Sequence, residues 1–135
     1  MIVQQYSTLQ RALDLFLKPA CVGGSAFFLA NIDSGTDSVT LWGRTFTRNQ
    51  FYALQAVAAS LATTPISQYV FDNHMKHHPR FKAISKDILN IGVHVALTAF
   101  FALQYTNKSM TIPIIIAALS EIIGEYANQA ILPMI

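Results

Sequence analysis

The sequence predicts an all-α membrane protein: a multi-pass bundle of three or four transmembrane helices with an amphipathic helix at its N-terminus. Two observations predict it. Of 135 residues, 53% are hydrophobic and only 12% are charged, about half the charged share of a soluble domain, and the mean hydropathy is +0.38. A small soluble domain has too much surface for its volume to hide so many apolar side chains. The second observation is their distribution. Charge-free apolar runs long enough to cross about 30 Å of hydrocarbon recur along the chain. The length suits one domain, residues 1–135.

In residues 1–18, Ile2, Tyr6, Leu9, Leu13, Phe16 and Leu17 recur at helical spacing between Gln4, Gln5, Gln10, Arg11 and Asp14. That is an amphipathic helix, packed on the protein or lying in the lipid interface. Pro19 ends or kinks it. Residues 15–32 form either a further span, with Lys18 snorkelling to the headgroups, or a re-entrant or interfacial segment. Asp33 to Asn49 is a polar connection with turn chemistry, and its Trp42 suits a membrane–water boundary. Residues 51–71 form a span whose Ala56, Ser60, Thr63, Thr64 and Ser67 permit close, weakly polar helix contact. Pro65 kinks it or starts a separate short helix. Residues 72–87 form a basic loop and 88–106 a span. Residues 110–132 return across the membrane, with Pro113 in the first turn, where proline is tolerated.

With four spans, Arg11, Lys18, Lys76, Arg80, Lys82 and Lys86 lie on one side and Arg44, Arg48 and Lys108 on the other. The positive-inside rule then places both termini and the basic loop on the cytoplasmic-equivalent side. With three spans the bias nearly vanishes, so the charge pattern favours four.

The remaining chemistry is mostly exclusion. A net charge of +2 is too small to imply nucleic acid, and the single cysteine, Cys21, forbids an internal disulfide. The first 17 residues lack the apolar core of a signal peptide. There is no nucleophile elbow, and Gly23-Gly24-Ser25 lacks the lysine of a phosphate loop. His74-Met75-Lys76-His77-His78 has the HxxHH spacing and resembles one histidine box of the membrane fatty-acid desaturases and hydroxylases. Those enzymes assemble a di-iron centre from several such boxes, whereas this chain has four histidines in all, so one copy cannot build that centre. His74, His77 and His78 are weak candidates for a simpler metal site; the expectation is no metal and no cofactor. With Lys76, Arg80, Lys82 and Lys86 they read instead as a polybasic loop for anionic lipid headgroups or an acidic partner.

The most informative feature is Glu121 and Glu125, four residues apart in the last apolar run, hence on one helical face. An ionisable group at bilayer depth costs about 2.5–3.5 kcal/mol or more, so it must face a partner or water. Reflecting the last two segments across the turn near Lys108 brings His94 level with Ile123, between the glutamates. The same reflection sets Asn90 near Asn128 and Thr98 near Ser120. Two polar stripes thereby meet as an interhelical ladder. The other reading of Glu121, Glu125 and His94 is a proton or cation path.

The expected function is non-enzymatic: a structural integral membrane subunit that anchors or spaces a larger assembly. Its partners would be the lipid bilayer and other protein subunits, with no nucleic acid or small-molecule substrate. The settings are the internal membrane of an enveloped icosahedral virion, tied to its capsid, or an organellar membrane complex. The short hydrophilic parts and the lack of a visible organelle-targeting segment favour the virion. The alternative is a proton or cation channel or transporter subunit.

Overall fold

The computed structural model describes residues 8–33, 38–72, 78–105 and 111–134. Within them the fold is all-helical apart from one small hairpin. The elements are α1 (Thr8–Leu29), β1 (Ser38–Leu41), β2 (Arg44–Thr47), α2 (Arg48–Ile66), α3 (Pro79–Tyr105) and α4 (Thr111–Ile131). Short 3₁₀ turns follow α1 and α4, and a π-helical turn, Ser67–Asp72, follows α2.

Contacts at both ends show that the helices alternate in direction. The end of α1 meets the start of α2, where Arg48 donates to the Asp33 carbonyl at 2.9 Å and Asn49 to the Phe27 carbonyl at 2.6 Å. The start of α1 meets the other end of α2 through Gln68, which donates to the Arg11 carbonyl at 2.8 Å. It also meets the end of α4, where Gln10 reaches the Leu132 carbonyl. Helix α3 packs on α2 and α4, and α1 packs on the same two helices from the other side. The result is an up-down-up-down four-helix bundle with sequence neighbours adjacent.

Several elements differ from the sequence expectation. Helix α1 runs unbroken through Pro19, so the amphipathic segment 1–18 and the possible span 15–32 merge over their described part. The missing proline N–H costs one bond to the carbonyl of Leu15, which the packed neighbours tolerate. Pro65 lies in the last turn of α2 and is followed by wider π winding, not by a separate α-helix. The basic loop is shorter than expected: α3 begins at Pro79, the favoured first position, so Arg80, Lys82 and Lys86 stand on helix α3.

The polar connection 33–49 contains an antiparallel hairpin pairing Ser38 with Thr47 and Leu41 with Arg44. Its two turn residues, Trp42 and Gly43, have φ of 52° and 76°, the sign pattern of the tight turn that matches strand twist. Alternation in the strands buries Val39, which packs with Phe46, Phe51 and Phe101. Thr47 then caps α2. Its hydroxyl accepts from Gln50 N at 3.2 Å, and the Gln50 side chain accepts from Thr47 N at 3.1 Å. Thr47→Ala should lower stability by about 1 kcal/mol, read as a lower midpoint of thermal unfolding in detergent by circular dichroism.

The core has two halves. Towards the hairpin, Val22, Ala26, Ala30, Tyr52, Ala56 and Ile116 form an apolar cluster. Towards the chain's N-terminal end, the interior is polar.

Candidate functional site

Helix α1 and the 3₁₀ turn after it bring Asp14, Lys18, Val22, Ala26 and Ala30 to the interior at every fourth residue, all buried. Repetition at i+4 keeps them on one face. Helix α4 turns Ser120, Glu121, Gly124 and Asn128 inward, and α3 does the same with Asn90, His94 and Thr98. The polar half of the core therefore receives ionisable groups from three helices.

The groups are directly paired. His94 Nδ1 lies 3.0 Å from Glu121 Oε1, and each side chain is only 2% exposed. The two side chains share one buried hydrogen bond. One turn along α4, Glu125 makes an ion pair with Lys18 of α1 and accepts from Gln129 at 2.7 Å. A further turn along, Asn128 donates to Asp14 at 2.6 Å, and Gln68 donates to the other oxygen of Asp14 at 3.2 Å. Three successive layers thus join α1, α3, α4 and the turn after α2. The layers pair groups that would be costly to bury alone, and leave Asn128 Oδ1 buried without a hydrogen-bond partner among the described residues.

The geometry also corrects the expected ladder. His94 meets Glu121, but the flanking rungs do not form between α3 and α4. Asn90 accepts instead from Ser67 at 3.4 Å. Asn128 turns to α1, and Ser120 donates back to the Ile116 carbonyl of its own helix at 2.6 Å. Thr98 Oγ1 is buried without a hydrogen-bond partner among the described residues. The reflection treated two helices as a closed pair, whereas each stripe faces an interior shared by four.

Lys18 does not snorkel; its side chain is 7% exposed and its ammonium is committed to Glu125. Together with Asp14 and Gln68 it is a network member that reasoning from the last hairpin missed. The signal was present: Asp14 and Lys18 continue into Val22, Ala26 and Ala30 at the same four-residue step as Asn90, His94 and Thr98.

The basic set is partly visible. Arg80 is exposed, and Lys82 and Lys86 are half-buried on the first turns of α3, while Lys76 lies outside the described residues. His78 is exposed, and His74 and His77 also lie outside them. Among the described residues, no group of three or more His, Cys, Asp or Glu side chains is placed to hold a metal ion.

The exterior is the complement of this interior. Among the described residues, 23 large hydrophobic side chains are exposed, more than the 11 hydrophobic residues that are buried. They occur on all four helices: Phe16 and Phe28 on α1, Leu61 on α2, Ile88 and Phe100 on α3, Ile115 and Ile123 on α4. Two helical segments, Thr8–Ile32 and Arg80–Phe101, are long and apolar enough to cross a membrane. Comparison with protein-family models, with curated proteins and with solved structures finds no match to the chain.

Proposed function

We propose that the chain is a structural, non-enzymatic membrane subunit whose four helices all cross the bilayer and whose outer faces anchor a larger assembly. The observation that carries this reading is the inverted distribution of polarity. Polar and ionised side chains pair inside the bundle, while large apolar ones face out on every helix. A soluble monomer rarely exposes more than one apolar patch of a few hundred Å², whereas lipid favours this arrangement. Helix α4 carries two glutamates, Glu121 and Glu125, within its apolar run. Paired inside, they do not oppose insertion as free charges would. Helix α3 has 27 residues, about 40 Å. It outruns the hydrocarbon, placing Arg80, Lys82 and Lys86 at the level of headgroups or an acidic partner.

Four alternating helices put both termini on the side of these basic residues. The assembly would be a virion with an internal membrane tied to its capsid, or in second place an organellar membrane complex. The chain should stay in the membrane pellet after alkaline carbonate treatment. After mild detergent extraction it should migrate with large partners on native electrophoresis.

A second reading is favoured by one observation: three carboxylates, Asp14, Glu121 and Glu125, face one lysine and one histidine in adjoining layers. That excess of acid suits a proton or cation path. Reconstituted vesicles separate the two. The anchor reading expects no flux above empty vesicles. A lone homo-oligomer whose conductance is abolished by Glu121→Gln with Glu125→Gln would replace it.

A further inference from the structure

At the hairpin end, away from the polar network, a shallow groove of about 740 Å³ runs between α1, β2 and the first turns of α2. Phe27, Phe46, Ala53, Leu54 and Val57 form its walls. Ala53, Leu54 and Val57 share one face of α2 by their spacing, so the groove follows the helix. Its volume falls within the range of about 300–1,000 Å³ typical of small-molecule sites. Arg44, on β2, lines its polar end, and its exposed guanidinium makes no hydrogen bond or ion pair among the described residues.

We propose that this groove binds an anionic phospholipid, one acyl chain lying along α2 and the phosphate held by Arg44. The proposal rests on the membrane reading above. Charge complementarity selects the occupant: the walls are apolar apart from Thr45 and Gln50, and the one ionised group lining the groove is the cation Arg44, at the edge where the helices give way to the polar hairpin. Arginine suits a phosphate because its planar fork donates two parallel hydrogen bonds. Trp42, two residues before Arg44, marks the same edge as the membrane–water boundary. It is 86% exposed and holds a left-handed backbone conformation, with φ of 52°, which a bulky residue adopts only at a cost. An indole seated at the headgroup level offsets that cost. The site is distinct from the basic residues of α3, which lie at the opposite end of the bundle.

Trp42 is the only tryptophan and lies two residues from Arg44, so its fluorescence reports the lipid at this end of the bundle, and the variants below separate the groove from the surrounding lipid. The full chain is reconstituted in phosphatidylcholine vesicles containing, at equal mole fraction, either phosphatidylglycerol or phosphatidylcholine with brominated acyl chains. Quenching of Trp42 should show phosphatidylglycerol preferred by about fivefold, the factor expected of one basic residue at a membrane surface. Arg44→Ala should bring that ratio to about one. Ala53→Phe, which fills the groove and leaves Arg44 in place, should lower it as well. Arg80→Ala, at the far end, should leave it unchanged. Equal quenching by the two lipids in the wild type overturns the proposal. So does a preference that survives either Arg44→Ala or Ala53→Phe, since binding would then be to surface charge alone. Absence of quenching by both lipids, with the protein recovered in the aqueous fraction, refutes the membrane reading itself.

Discussion

Replacing Gly124 with alanine should prise α1 from α4. A Cβ at this position would lie 2.7 Å from Val22 Cα and 2.9 Å from Val22 N, closer than real Cβ contacts come. These are backbone atoms in the middle of a helix, so no rotamer change relieves the clash and one helix must move. Overpacking of this kind costs about 1–3 kcal/mol. Alanine returns about 1 kcal/mol of helix propensity over glycine, so the net loss should be up to about 2 kcal/mol, and leucine should prevent assembly of the bundle. The shift would also stretch the adjoining layer, since Glu125 follows Gly124 directly and Lys18 lies one turn before Val22.

Other glycines supply the controls. At Gly23 an added Cβ meets the Cγ2 of Val57 at 2.6 Å, the end of a side chain that can turn away, so Gly23→Ala should cost less. At Gly92 nothing lies within 4 Å, and Gly92→Ala should stabilise α3 by up to about 1 kcal/mol. Thermal unfolding of the three variants in one detergent checks the order: Gly92→Ala above wild type, Gly23→Ala near it or below, Gly124→Ala lowest. Equal effects at Gly23 and Gly124 would mean that the α1–α4 contact is looser than the structure has it.

The second large effect is expected at the charge layer. Lys18→Met removes the cation and leaves Glu125 with Gln129 alone. Stripping one partner from a fully buried ion pair costs about 3–5 kcal/mol. The Glu125 oxygen that faces Lys18, Oε2, is itself buried, so the loss should reach about 3–5 kcal/mol. Glu125→Gln added to Lys18→Met should restore most of it, because an amide needs no counter-charge and can still hydrogen-bond to Gln129. A double-mutant cycle isolates the pair. A double variant no more stable than Lys18→Met would show that Lys18 acts by packing its stem and not by its charge.

The two experiments probe different parts of one interface. Gly124 sets how closely α1 and α4 approach, and the Lys18–Glu125 pair is what that approach brings together. Small residues and paired charges on adjacent turns are how helices associate where no hydrophobic force between them exists.

The placement of these groups shows what could be read early. The all-helical class followed from composition, and the inward faces of α3 and α4 followed from the four-residue recurrence of Asn90, His94 and Thr98 and from the four- and three-residue spacing of Glu121, Glu125 and Asn128. Periodicity is local, so it survives without tertiary knowledge. The hairpin was also written in the chain, as Val39 and Leu41 before Trp42-Gly43 and the Thr-rich strand after it. Its residues were outweighed by the polar composition around them.

What a linear reading could not decide was partnership. Asp14 and Lys18 look like the wet face of an amphipathic helix, because a sequence does not say whether polar residues meet water or another chain segment's charges. Helix α1 packs against α4 across more than a hundred residues of separation, and only that packing turns the polar face of α1 inward against Glu125 and Asn128. For the same reason Asn90 finds Ser67 of the turn after α2, where a two-helix argument offered Asn128. Residue spacing along the chain settles which side chains share a helical face. The tertiary structure alone decided which faces meet, since long-range contacts reflect the packing of all four helices at once and no spacing within one helix encodes them.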